Sequence, residues 1–490
     1  MTMTMTRRYA GISGLTDGTL GLSTNEVRPV RFHGRVASSV LSLRLALQTL
    51  GELVWSKYEW LDDEAHDRYL ESILDPVITV HPDRVFFEAF SQDQSAYGLV
   101  IVDRDIFETS GDVSCGTTNI DFTTTLHQAL GQMRSSRDTW FRVGPTGFGV
   151  QTASTPSDHF EEKVDLPDSW VRGFLQLQGA MAMPGTRVRM RPVDMKTIIR
   201  FVAEHKAFAS PRSIRWVFEP GADVDAVLEP WDEVVTCKGA SHNYTERKET
   251  RVWGRRGLSL IEPLLGRAES VEVYLKGRAL PSFYAVNLPG VTFVLGLSGW
   301  TNNNWTQSGS FDLLTSKTVE RPWLDRAVAV LRERYHISEE ELADELGCDL
   351  PTASKALSAL CRQGRAIYDV RARDYRYREL FAEPIDVDAF YPPDPRAEAA
   401  RQLLDAGQVH VASDTVREKV RSSADPDGVI KTVVFHDRVV DGRVADALTH
   451  IVVQDTGRII FGRCSCEFFA ENLLNKGPCE HMIALHEKLQ

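Results

Sequence analysis

The spacing of apolar and polar positions changes several times along the chain, and each change predicts a different element. Leu41, Leu45, Leu47, Leu50 and Val54 recur at roughly helical intervals within Val40 to Tyr58, which predicts a helix with one face on a core. From Val77 the period shortens. VITV and VFFEAF are β-rich runs on either side of HPDR, and the Pro-Asp pair predicts a hairpin turn. Further strands are expected at Tyr97 to Val102, Thr139 to Val143 and Gly147 to Thr152. Between them Phe122 to Arg134 predicts a helix, with Thr123, Leu126, Leu130 and Met133 on one side. Pro156 to Pro167 is polar and carries two prolines, which predicts a loop or a subdomain edge.

A second β-rich stretch runs from Arg212 to Leu314. Its segment VEVYLKGRALPSFYAVNLPGVTFVLGLSGW alternates β-branched and aromatic runs with Gly and Pro turns, the pattern of an antiparallel sheet, and the Asn-rich turn TNNNW with Trp300 and Trp305 follows. Near Arg321 the pattern becomes helical again. Trp323 to Arg334 predicts one helix, Ser338 to Glu341 forms a capping box for a second that ends at Gly347, and Asp349 caps a third that stops at Gly364. AIYDVRARDYRYREL then alternates like a hairpin. This order resembles a winged helix-turn-helix, and that resemblance implies a third helix and wing placed for nucleic acid or protein contact. The Pro-rich EPIDVDAFYPPDP predicts a linker.

The fold class expected is multi-domain α/β, with an α+β N-terminal region, a winged helix-turn-helix and a C-terminal ββα unit. The expected segments are an N-terminal α+β domain at 1–155, a β-rich α+β domain at 168–320, a winged-helix-like domain at 321–381, a linker at 382–395 and a terminal domain at 396–490. A length of 490 residues exceeds the usual size of one core, and 42% apolar with 25% charged residues is ordinary for folded protein. The formal charge of -12 excludes non-specific coating of nucleic acid, so any such contact must be local. No apolar run approaches the ~18 residues of a membrane span, and no signal-like leader is present, so a cytoplasmic protein without membrane contact is expected. Of the seven cysteines, Cys115, Cys237, Cys348 and Cys361 are scattered and read as small buried hydrophobes.

The other three cluster near the end, in GRCSCEFFAENLLNKGPCEHMIAL. Here C-x-C and C-x-H pairs are separated by twelve residues, so Cys464, Cys466, Cys479 and His481 supply three thiolates and an imidazole. That donor set selects tetrahedral Zn²⁺, and four protein ligands leave no position for a substrate water. One structural zinc ion per chain is expected. IIFGR reads as the strand that delivers the first two ligands, and Gly477-Pro478 as the start of a helix carrying the other two. His486 reads as a solvent-facing position on that helix. The motif resembles the SWIM zinc finger, all four ligand positions matching. ILDPVITV, FEAFSQDQSAYG and LGLSGWTNNNW are similar to strings in bacterial SWIM zinc finger family proteins. That wider resemblance implies a recognition or adaptor role beside a MoxR-type AAA+ ATPase or a von Willebrand A protein.

Local positive charge gathers upstream of the finger. Lys355, Arg362, Arg365, Arg371, Arg373, Arg376 and Arg378 face only Asp369 and Asp374, with Tyr375 and Tyr377 interleaved. A DNA reader would place cations on a third helix and wing, so Lys355, Arg362, Arg371, Arg373, Arg376 and Arg378 are the candidate DNA- or RNA-binding residues. A solvated strand face in a module for protein-protein interaction is the alternative. Catalysis finds no anchor. GxxxxGK[ST] and HExxH are absent, GLSGW lacks the final glycine of a nucleophile elbow, and neither SCGTT at Cys115 nor the carboxylates Glu88 and Asp93 has a histidine in recognisable context. A non-enzymatic zinc-binding recognition protein is the leading expectation, an AAA+ adaptor without nucleic-acid contact the second, and a hydrolase with its site in the N-terminal half the third.

Overall fold

The computed structural model describes residues 14–16, 19–21, 29–56, 76–120, 122–152, 159–162, 168–240, 242, 244–278, 280–299, 305, 319–380, 394–424, 430–455, 457–474 and 476–489. Two units emerge: Met1–Phe174, Gly185–Gln307 and Arg378–Pro384 form the first, and Leu175–Pro184, Ser308–Tyr377 and Ile385–Gln490 the second.

In the first unit, runs of β-branched and aromatic residues build an antiparallel sheet of eight strands. Their order is Thr186–Met190, Ser270–Leu275, Ser282–Leu288, Val291–Leu297, Ala96–Asp103, Arg84–Phe90, Val77–Val80 and Gly116–Asn119. Every residue of Val291–Leu297 is buried, as is all of Ala96–Asp103 except its last residue. Continuous apolar runs of this kind mark strands covered on both faces, and they explain why simple alternation is absent there. Helix Val40–Val54 lies on this sheet, and Gly98 lets it approach: a Cβ there would sit 2.8 Å from Leu50 Cδ1 and 3.0 Å from Leu53 Cδ1. A five-stranded sheet, a four-stranded sheet and the two-stranded hairpin of Gly14–Thr16 and Thr19–Gly21 also belong to this unit.

This sheet corrects one expectation. Two separate domains at 1–155 and 168–320 were anticipated, but Ala96–Asp103 pairs directly with Val291–Leu297, so both segments share one sheet and one unit. Within Pro156 to Pro167, expected as a loop or subdomain edge, the strand His159–Glu162 pairs with Gly147–Thr152. Pairing between strands so far apart in sequence leaves no local signal.

In the second unit, helices Arg321–Arg334, Glu339–Leu346 and Leu350–Arg362 precede a hairpin of Ala366–Asp369 and Asp374–Tyr377. The start and stop chemistry is as anticipated. Ser338 Oγ accepts from Glu341 N at 3.1 Å while Glu341 Oε2 accepts from Ser338 N at 2.9 Å, Gly347 takes φ 63°, and Asp349 accepts from Thr352 N at 2.9 Å. Leu331, Ile337, Leu342, Leu357 and Leu360 fill the core between these elements. A short strand not foreseen, His336–Ile337, pairs with Asp374–Tyr377. The expected linker, residues 382–395, lies outside the described residues up to 393.

The chain ends in a four-stranded antiparallel sheet in the order Val409–Ala424, Ile430–Val444, Ala447–Gln454 and Ile459–Cys464. Helix Glu480–Glu487 packs on it, and helix Pro395–Asp405 packs on that helix. The expected ββα unit is thus embedded in a larger sheet, because two long strands upstream extend it. Those two strands run on past their neighbour: pairing with Ala447–Gln454 stops at Asp437, while Arg417↔Asp437 to Ala424↔Ile430 continue as a two-stranded ribbon.

Candidate metal centre

Each ligand sits where an element ends. Cys464 closes the strand Ile459–Cys464, and Cys466 is the N-cap of the short helix Glu467–Asn472. Cys479 is the N-cap of helix Glu480–Glu487, and His481 lies in its first turn. Strand and helix are locked together by their packing residues. A Cβ at Gly442 would lie 2.7 Å from Leu485 Cδ1 and 2.9 Å from the backbone oxygen of His410, and one at Gly462 would lie 2.8 Å from Met482 Sδ. Only glycine allows the final helix this close to the sheet, and the closeness brings the two pairs of ligands into one place. Arg396 secures the loop before Cys479 by donating to the carbonyls of Lys476 at 2.7 Å and Pro478 at 3.0 Å, with its guanidinium 4.8 Å from the Phe468 ring centroid.

The four donor atoms all lie within 4.8 Å of one another. Donors around one tetrahedral zinc stand roughly 3.3–3.8 Å apart, so the cluster is of the right size to hold a single ion. Crowding of these groups has an electrostatic cost that a cation relieves. The Cys479 thiol hydrogen-bonds to the Cys464 sulfur and draws Cys464 down to about 3, while the same contact drives Cys479 far up. His481 is raised chiefly by its hydrogen bond to Cys464, and burial pushes Cys466 up. His481 Nδ1 is buried without a hydrogen-bond partner, the nearest carboxylate oxygen being Glu480 Oε1 at 3.5 Å. Outer contacts orient the thiols: Thr449 Oγ1 lies 3.5 Å from Cys464 Sγ, and Phe469 N donates to Cys466 Sγ at 3.5 Å. The residues fit one structural Zn²⁺.

Of the two glycines, Gly442 is the stricter. Replacing Gly442 by Ala forces a backbone carbonyl to move, whereas Met482 beside Gly462 is a flexible side chain that can turn aside. Gly442→Ala should destabilise the zinc-loaded terminal module by about 1–3 kcal/mol and Gly462→Ala by less, read as the shift in its thermal unfolding. Equal shifts would contradict this account of the packing.

The other sequence candidates separate. Arg376 and Arg378 are each 1% exposed and cannot meet a phosphate. Arg376 Nε donates to Asp369 at 2.7 Å, and Arg378 Nη1 donates to Glu88 at 2.7 Å beside the Phe174 ring. Charge alternation in RARDYRYR looked like a solvated strand, but these two arginines supply the partners of buried carboxylates. Lys355, Arg362 and Arg371 are half-buried, and Arg373 alone of the set is exposed, on a turn with φ 60°. Neither Glu88 nor Asp93 forms a paired-acid site. Glu88 accepts from Arg378 and from Tyr97 Oη at 2.9 Å, and Asp93 from Ser91 Oγ and Ser95 Oγ at 2.6 and 2.8 Å. Among the scattered cysteines, Cys237 and Cys361 are buried as expected, burial pushing the Cys237 thiol to about 12, while Cys115 and Cys348 are only half-buried. His486 is half-buried rather than solvent-facing, and burial lowers its pKa.

Residues 450–490 match the SWIM zinc finger family, and their four ligands are the cluster just described. No curated protein sequence matches the chain. Partial structural likeness extends to Proliferating Cellular Nuclear Antigen from Entamoeba histolytica, at 10% identity and TM-score 0.37, over 55% of this chain and 99% of that one. PCNA from Thermococcus kodakaraensis is similar at 12% identity and TM-score 0.38, over 55% of this chain and 100% of that one. Neither likeness bears on what this chain binds. No helix among the described residues is long and apolar enough to cross a membrane.

Proposed function

We propose that the chain is a non-enzymatic recognition protein whose zinc finger stabilises a module that contacts nucleic acid. The carrying observation is the closed donor set: four protein ligands within 4.8 Å of one another leave no coordination position for a substrate, so the ion shapes a surface rather than performs a reaction. Two cations stand open on that module in a chain of formal charge -12. Arg443 and Arg463 are exposed on the terminal sheet and have no carboxylate partner among the described residues. The winged-helix reading of residues 321–381 contributes less than its sequence promised, since helix Leu350–Arg362 exposes no residue fully and Arg373 is the one candidate cation left open to solvent.

Low-salt gel retention with duplex and single-stranded probes tests this reading. Zinc-loaded protein should retain at least one class of probe, with affinity falling steeply as salt rises. Absence of any retention at low ionic strength overturns it and leaves the protein-adaptor alternative, whose AAA+ partner would bind with little salt dependence.

A further inference from the structure

We propose that the open face of the C-terminal sheet is a platform for single-stranded nucleic acid, on which Phe461 stacks against a base while Arg443 and Arg463 meet phosphates. This rests on the nucleic-acid reading above and gives it a surface and a substrate class. Strand geometry puts alternate residues on opposite faces. Val440, Gly442, Val444 and Ile451 are buried, and Gly442 marks theirs as the helix face. The intervening positions Asp441, Arg443, Leu448, His450 and Arg463 belong to the other face, and Phe461 joins them opposite Val452.

Phe461 is 41% exposed and Leu448 61%, on a sheet whose helix face is well covered. A lone exposed aromatic means little. Here the ring is framed: the His450 ring stands edge-on at 5.7 Å and 75°, and the Arg463 guanidinium lies 5.4 Å from the ring centroid. His450 is itself fixed by Asp441 at 2.7 Å, and Ser413 donates to the same carboxylate at 2.8 Å, so the acid beside the ring is already engaged. An exposed phenyl ring with an imidazole and a guanidinium beside it suits an unstacked base, and the arginines suit the backbone between bases. Duplex fits poorly, because its bases are already stacked and a four-stranded sheet is too broad for a groove that admits a helix or a two-stranded ribbon. The strand that carries Phe461 and Arg463 ends at the ligand Cys464, which ties this platform to the metal site.

The test uses full-length zinc-loaded protein and the anisotropy of a fluorescent oligothymidylate, with a labelled duplex and a labelled polyglutamate peptide as comparisons. Wild-type protein should prefer the single strand. Phe461→Ala should weaken it roughly 5- to 150-fold, and Phe461→Trp should restore it. Arg443→Ala and Arg463→Ala should each flatten the salt slope by about 0.7. If Phe461→Ala reduces zinc content or helicity, the two arginine variants decide, since both positions are exposed. Wild-type affinity in Phe461→Ala or an unchanged slope in the arginine variants, with nucleic acid still bound, overturns the platform but not the nucleic-acid reading. Preference for duplex does the same. Retention of polyglutamate alone, or of no probe, overturns both.

Discussion

Purified without chelator, the protein should carry one zinc per chain, and stripping that zinc should unfold the terminal module while the sheets of the first unit persist. The ligands join the end of one strand to the first turn of the last helix, and the helix face buried there is small: Met482, Ile483, Ala484 and Leu485. Structural zinc in small fingers contributes about 10–16 kcal/mol at neutral pH, more than so short a helix gains from its own packing. Hydrogen exchange should show protection lost across 459–489 on chelation and kept across the eight-stranded sheet, whose core is separate. Acid should act like the chelator. Three thiolates and an imidazole must be deprotonated to bind, so the metal-free unfolded module takes up protons and stability is lost as the pH is lowered. Unchanged protection after complete zinc removal would show that the module stands without its metal.

The second large effect is expected far from the finger. Glu88 and Arg378 form an ion pair with side-chain exposures of 1% and 0%, and Tyr97 donates to the same carboxylate. Burial, and then the Glu88 charge, push the Tyr97 phenol well above its ordinary value, so it remains a donor at any ordinary pH. Arg378 Nε and Nη2 lack partners even in the native fold. Glu88→Ala therefore strands a guanidinium beside the Phe174 ring and should cost the first unit about 3–5 kcal/mol, read from the urea midpoint of its unfolding transition. The double variant Glu88→Met with Arg378→Met should regain most of that loss, because two apolar chains of similar volume no longer require a partner. A single variant within 1 kcal/mol of wild type would show that water reaches the site.

Features governed by neighbours in sequence were legible, and those governed by distant pairing were not. The capping box at Ser338, the stop at Gly347 and the hairpin around HPDR follow from residues a few positions apart. So did the finger, since thiolate and imidazole donors have few other uses in that spacing. The single eight-stranded sheet was hidden because its central strands lack alternation when both faces are covered. The arginines of RARDYRYR misled for a related reason: a strand of alternating charge reads the same whether its cations meet water or a carboxylate such as Glu88, 290 positions away. Phe461 escaped notice because one aromatic in IIFGR looks like core until the opposite face of the sheet is found covered by a helix.

The register at the centre of that sheet bears on how the protein is made. Val102 pairs with Val291, about 190 positions later, and the strand that contains Val102 is buried along nearly its whole length. A ribosome adding roughly 5–20 residues per second needs about ten to forty seconds to deliver the partner strand. During that interval the nascent Ala96–Asp103 segment has an open edge and an uncovered apolar face, the condition in which strands join the wrong neighbour. Demand for a chaperone should therefore fall on the first three hundred residues during synthesis, and shortened chains ending before Val291 should collect in the insoluble fraction.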